Sequence, residues 1–260
     1  MKSDLSGTVS LVTGAARGIG QAIADRFAAS GSMVYYTDID GPGAEAAATR
    51  FADCRSATLD VTDGNAVRAL VARIQRECGR LDLVVNNAGV NTLKERVTID
   101  QFPRSEWDRI LNVDLNGVFE VSRAAAQIMK AQGKGRIINI ASIAGLVPLR
   151  LQCAFVAAKA AVVNLTKVMA LELGPAGILV NGIAPGSTLT EGTKRLFYGE
   201  DGTFHSRVQQ MLDHVPLGRP GTTDEIAVAA LFLADPENTY MNGHVLVVDG
   251  GWIAGYHREF

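Results

Sequence analysis

At 260 residues, with 47% hydrophobic side chains and a formal net charge of −2, the chain can bury one large core and suits a single α/β domain over residues 1–260 rather than two. The near balance of charge excludes a broad nucleic-acid footprint, which needs a basic excess or stripe, and makes a small molecule the expected partner. Cys54, Cys78 and Cys153 are irregularly spaced and set within helix or strand patterns, so they are expected to be reduced, buried thiols with no metal or disulfide role.

The polar start MKSDLSGTVS lacks an apolar signal core, and no later stretch reads as apolar for long enough to span a bilayer. A soluble, cytoplasmic protein without a membrane partner is expected. In chain order, strands are predicted at 9–13 (VSLVT), 33–38 (MVYYTD), 56–60 (SATLD), 81–86 (LDLVVN), 136–141 (RIINIA), 178–183 (ILVNGI) and 244–249 (HVLVVD). Amphipathic stretches between them predict helices near 18–30, 43–52, 63–78, 105–131, 155–173, 203–214 and 223–233, the last capped by Thr222 and Thr223 with acids in its first turn. Such alternation is the signature of a parallel sheet of about seven strands covered by helices on both faces.

TGAARGIG at 13–20 joins the first strand to the first helix. Gly14 allows a tight turn, and Gly18 and Gly20 let backbone and helix approach a pyrophosphate on the positive helix end, with Ile19 between them. NNAG at 86–89 follows the fourth strand; Asn87 sits in the turn, and the small Ala88 and Gly89 permit close approach to an adenosine and its ribose. The GxxxGxG spacing followed by NNAG resembles the classical short-chain dehydrogenase/reductase family, and the motifs cover the whole chain in the expected order. That resemblance implies a Rossmann-type doubly wound fold, a nicotinamide cofactor and hydride transfer between a secondary alcohol and a ketone.

It also implies site residues. Asp60, beside Val61, matches the acid that family members place against the adenine amino group, although capping the following helix is an open alternative. Asp38 ends the second strand, where a carboxylate accepts the ribose hydroxyls of NAD and repels the extra phosphate of NADP; Arg17 points towards NADP, and Asp38 is weighed more heavily. PGSTLT at 185–190 resembles the family segment over the nicotinamide, with Pro185, Gly186, Thr188 and Thr190 as cofactor contacts.

For catalysis, Ser142 and Lys159 match the family serine and lysine, and Lys159 also holds the nicotinamide ribose. Phe155 stands where the family has its proton-transferring tyrosine, and Asp114, read from RILNVDLNGVF, stands where it has asparagine. Phenylalanine keeps the ring but has no dissociable proton, so little or no turnover is expected. Two accounts of Phe155 stay open. A naturally inactive relative has no need to retain Ser142, Lys159 and both nucleotide motifs, whereas a replacement made to trap bound substrate leaves them in place, and the retained residues favour the replacement.

Asn91, Ser142, Arg150 and Gln152 are the expected substrate contacts, and their polarity favours a sugar, polyol or hydroxy/keto acid. A polar segment around 187–215, carrying Lys194, Arg195, Tyr198 and His205, reads as a substrate lid. The tail 251–260, with Trp252, Tyr256, Arg258 and Phe260, is expected to pack on a neighbouring subunit of a homotetramer. The alternatives are an NAD-binding regulator or structural subunit without turnover, and an NADPH-dependent ketoacyl reductase.

Overall fold

The structure, a computed structural model, describes residues 3–92, 96–190, 210 and 212–255. Strands β1 (Val9–Thr13), β2 (Met33–Asp38), β3 (Arg55–Thr58), β4 (Leu83–Asn86), β5 (Gly135–Ile140), β6 (Ile178–Pro185) and β9 (Val245–Val248) form a seven-stranded sheet in the order β3-β2-β1-β4-β5-β6-β9. Every pairing in it is parallel. Successive side chains leave a strand on opposite faces. Val12, Val34 and Tyr36 therefore join one apolar layer, under α1 (Gly18–Ala29), α2 (Gly41–Ala48) and α7 (Thr223–Ala234). Leu11, Tyr35 and Val84 join the other, under α3 (Gly64–Cys78), α5 (Gly117–Gln132) and α6 (Cys153–Leu173). The strand order reverses between β1 and β4, and the crevice at the carboxyl ends there is the natural ligand site of such a sheet.

The first two strands match their expected bounds, and the others agree within a few residues at their ends. The helix expected at 105–131 runs without a break from Arg104 to Gln132, but not as α-helix throughout. It divides into α4 (Arg104–Leu111) and α5, joined by a π-helical turn over Asn112–Asn116 that carries Asp114 inward to full burial. A short parallel pair, β7 (Thr188–Leu189) with β8 (Gly221–Thr222), was not foreseen, because two residues are too few to show a period. The expected helix at 203–214 and most of the lid, including Lys194, Arg195, Tyr198 and His205, lie outside the described residues, as do Tyr256, Arg258 and Phe260 of the tail.

Two expectations are corrected. Cys153–Ala176, which contains α6, is long and apolar enough to cross a membrane by length and composition. In the fold one side of it is buried, with Ala158, Val162, Met169 and Leu173 among others, while Val168 and Leu171 are exposed. The three cysteines are free but only half-buried.

Caps set the helix starts. Asp40 and Asp63 accept backbone N–H bonds at the heads of α2 and α3, which leaves Asp60 free of the capping role and bonded instead to Thr62 N and Oγ1 at 2.9 and 2.7 Å. Thr222, rather than Thr223, caps α7 in a reciprocal box with Glu225, whose carboxylate is also gripped by Arg219. The Arg219 bonds, followed by the Thr222 N–H, pull the Glu225 carboxyl down to about 2. A depressed carboxyl contributes stability that is complete above its unfolded value, 4.5, and is lost as pH falls towards about 2. Thr222→Ala is expected to cost about 1 kcal/mol in urea unfolding. Glu225→Gln should flatten the loss of stability across that acidic window.

Candidate active site

β1 ends in Thr13, whose hydroxyl accepts N–H bonds from Asn87 and Ala88, both at 3.0 Å. The Asn87 amide donates to the carbonyls of Thr13 and Gly14 at 2.9 and 3.0 Å, so the glycine loop and the NNAG turn are locked to one another. Thr13 was not singled out in the sequence. Its only signal there is a hydroxyl at a strand end, one residue before a glycine turn.

Gly18 has φ +64°, and the nearest atom to a side chain added there belongs to Thr190, 3.6 Å away. It opens α1 behind Arg17, which offers no side-chain cap, so the first-turn N–H groups remain available to an anion. Gly20 has a second reason beyond the one expected. A methyl group there would collide with Gly14 O and Asn87 Nδ2, so this glycine also lets the two loops pack. Gly89 is likewise occupied on its bare side, by Asp114 Oδ2 at 3.1 Å and Lys159 Nζ at 3.4 Å from the position a Cβ would take.

A cleft of about 420 Å³ opens over these loops. Gly14, Arg17, Gly18 and Ile19 form one side, Asp38, Asp60 and Val61 a second, and Asn87, Ala88 and Gly89 the floor, with Thr190 at the edge. The Asp38 carboxylate accepts from Ala16 N at 3.1 Å and Asp40 N at 3.0 Å, which holds it at the cleft. Pro185 ends β6, Gly186 N donates to Val248 O, and Thr188 Oγ1 donates to Gly186 O, a chain that leads towards Thr190. An uncapped helix start, a glycine cradle and a carboxylate at the end of β2 fit a dinucleotide.

Beyond the cleft, Ser142 heads the turn Ile143–Gly145, its Oγ accepting from Ala144 N at 3.1 Å. That turn packs on α6, because a side chain at Gly145 would meet the Lys159 carbonyl group. Lys159 is buried, donates to Ile140 O at 3.2 Å and stands 5.7 Å from the centre of the Phe155 ring. Its nitrogen lies 3.1 Å from Asp114 Oδ2, and Asp114 Oδ1 accepts from Val90 N at 2.7 Å. Phe155, Lys159 and Asp114 are thus gathered by α6 and the π-helical turn, and Ser142 heads the turn that packs on α6.

The substrate candidates divide. Arg150 is exposed, Gln152 is buried at the head of α6, and Asn91 is turned into its own loop, with Oδ1 accepting from Thr92 N and its carbonyl from Arg109. Phe155 packs beside Ile110, Ala154 and Ala158, with Val90 and Trp107 at the margin, so the wall behind it is more apolar than the sequence suggested. Leu151, with φ +64°, is the one non-glycine residue at positive φ among the described residues, and it re-aims the chain just before α6. Also among the described residues, no three His, Cys, Asp or Glu side chains gather to hold a metal.

The family model described as "Enoyl-(Acyl carrier protein) reductase" matches residues 14–253. The chain belongs to the short-chain dehydrogenase/reductase family. Gluconate 5-dehydrogenase of Gluconobacter oxydans (strain 621H) is 38% identical over 251 residues, covering 95% of each chain. D-threitol dehydrogenase of Mycolicibacterium smegmatis is 38% identical over 252, covering 95% of this chain and 94% of its own. The 3-oxoacyl-[acyl-carrier-protein] reductase FabG of Vibrio harveyi is 38% identical over 251, covering 95% and 98%. Among solved structures, a gluconate 5-dehydrogenase from Burkholderia cenocepacia J2315 in complex with NADP and tartrate superposes with a TM-score of 0.89 at 34% identity, covering 98% of each chain. This short-chain dehydrogenase/reductase is accordingly an oxidoreductase of a nicotinamide cofactor.

Proposed function

We propose that the protein is an NAD-linked oxidoreductase of the sugar, polyol or hydroxy/keto acid class, interconverting a secondary alcohol and a ketone, in which Phe155 stands in the place of the proton-transferring tyrosine. The observation that supports the reading is Lys159 beside position 155 on α6, with the Ser142 turn packed on that helix, next to a cleft lined by the glycine loop and Asp38. A bound nicotinamide supplies or accepts the hydride. Ser142 Oγ would hydrogen-bond the substrate oxygen, Lys159 would hold the ribose, and the Phe155 ring would fill the tyrosine position without moving a proton. The oxygen of the substrate then lacks a general acid, which typically costs about 10²–10⁴ in rate.

NAD is favoured over NADP by Asp38, whose carboxylate at the cleft would meet a 2′-phosphate with like charge. Asp38→Asn, which removes that charge and keeps the side-chain size, is expected to improve NADP binding relative to NAD by about tenfold or more, an electrostatic effect of about 1.4 kcal/mol. Fluorescence titration with both cofactors reads it. Exposed Arg17 on the same cleft supports a second reading, an NADPH-linked ketoacyl reductase, and unmodified chain that binds NADP better than NAD would favour it.

Oxidation of a panel of sugars, polyols and hydroxy acids by the chain and by Phe155→Tyr tests the activity. Turnover only in the variant supports a dehydrogenase lacking its acid; silence in both, with NAD bound, supports the regulator. The assembly we infer is a cytoplasmic homotetramer with the tail on a neighbouring subunit. Phe119 on α5, Val168 and Leu171 on α6 and Val247 on β9 are the exposed apolar residues that support it.

A further inference from the structure

Lys159 and Asp114 form a buried ion pair in the site itself, their side chains 7% and 0% exposed and their charged atoms 3.1 Å apart. Three independent elements hold it. The π-helical turn directs Asp114 inward, Val90 N–H fixes the second carboxylate oxygen at 2.7 Å, and Ile140 O anchors the ammonium at 3.2 Å. The bare side of Gly89 closes over both groups. Among the described residues, Arg109 on α4, tied to Glu106 by bonds of 2.7 and 2.8 Å, also senses Asp114 as a lesser neighbour.

An unpaired ammonium about 6 Å from a phenol, at an effective dielectric of about 20, lowers the phenol pKa by about two pH units. A carboxylate 3.1 Å from that ammonium sets the opposite charge directly beside it and offsets most of the effect. We propose that Asp114 is a positioning residue that cancels the charge of Lys159 at position 155, so that proton transfer is disabled twice, by the missing hydroxyl of Phe155 and by the carboxylate against its lysine. The catalytic meaning rests on the function proposed above. The charge cancellation rests on the geometry alone.

The test is an ultraviolet pH titration of the phenol introduced by Phe155→Tyr, taken as a difference from the unmodified chain, with no cofactor or substrate present. The single variant is expected to titrate at about 10 or above, as an unassisted phenol does. Phe155→Tyr/Asp114→Asn, in which the amide oxygen still accepts from Val90 N, should titrate at least one pH unit lower. Adding Lys159→Met to that pair should return the value to about 10. A single variant titrating below about 8.5, or a double variant no lower than the single, overturns the proposal. If circular dichroism shows the double variant unfolded, the single value decides. Turnover gained by Phe155→Tyr with a phenol indifferent to Asp114→Asn would leave the proposed function standing and this inference overturned; a shifted phenol with no turnover in any variant would do the reverse.

Discussion

Phe155→Tyr should raise kcat for the best substrate of the panel by about 10²-fold, towards the lower end of what a positioned general acid contributes. The gain is large because the groups around the missing hydroxyl are already seated. Ser142 is oriented by its own turn, Lys159 is anchored to Ile140 O, and the ring at 155 is already seated beside Ile110, Ala154 and Ala158, so one oxygen is added to a packed aromatic. It stops short of the upper end because the ammonium that would ease the phenol proton away faces Asp114 at 3.1 Å. Phe155→Tyr/Asp114→Asn is expected to gain about tenfold more near neutral pH, a shift of one pH unit in the phenol being a factor of ten in the ionised fraction. Steady-state kinetics across pH separate the two steps. A rate that stays at the level of the unmodified chain in both variants, with folding and NAD binding intact, would remove position 155 from the reaction and favour the regulator.

Gly20→Ala should abolish cofactor binding at concentrations that saturate the unmodified chain and lower the melting temperature by several degrees. By helix propensity alone the change is favourable by about 1 kcal/mol, since Gly20 lies within α1. The surroundings reverse the sign. The added methyl collides with Gly14 O and with the Asn87 amide, which itself ties Thr13 O and Gly14 O to the NNAG turn. Backbone and a doubly bonded amide have little room to shift, and overpacking of this kind costs about 1–3 kcal/mol or more. The displaced loop is the floor and one side of the nucleotide cleft, so stability and cofactor affinity fall together. Calorimetric melting and NAD titration of the variant measure both. A folded Gly20→Ala protein that binds NAD normally would show that the loops can separate without harm.

The nucleotide half was the most legible part of the chain. β1 and β2 are apolar runs buried on both faces, and a residue at the carboxyl end of such a strand reaches the crevice whatever happens elsewhere. Asp38 could therefore be placed from its strand end, while Asp60 and the NNAG turn were placed by the family resemblance, and all three border the cleft. Lys159, taken from the family resemblance, lies four residues after position 155 and beside it, as the helical spacing implies.

What the sequence by itself determined, then, was the rhythm of strands and helices, the family, the cleft and the absence of a dissociable proton at Phe155, because each is written in local periodicity, spacing or side-chain chemistry. The tertiary structure alone decided what depends on residues distant in sequence. Nothing in RILNVDLNGVF announces a π-helical turn; the local pattern is helical throughout, and the wider turn places Asp114 against Val90 N and Lys159. Nothing marks Leu151 for a left-handed conformation, which L side chains disfavour and which only the packed surroundings of α6 can hold. Nor does the motif show what the bare sides of Gly20 and Gly89 face, Asn87 with Gly14 O in one case and the Asp114–Lys159 pair in the other. Charge pairing and close packing are three-dimensional properties, and at this site they determine what Lys159 can do.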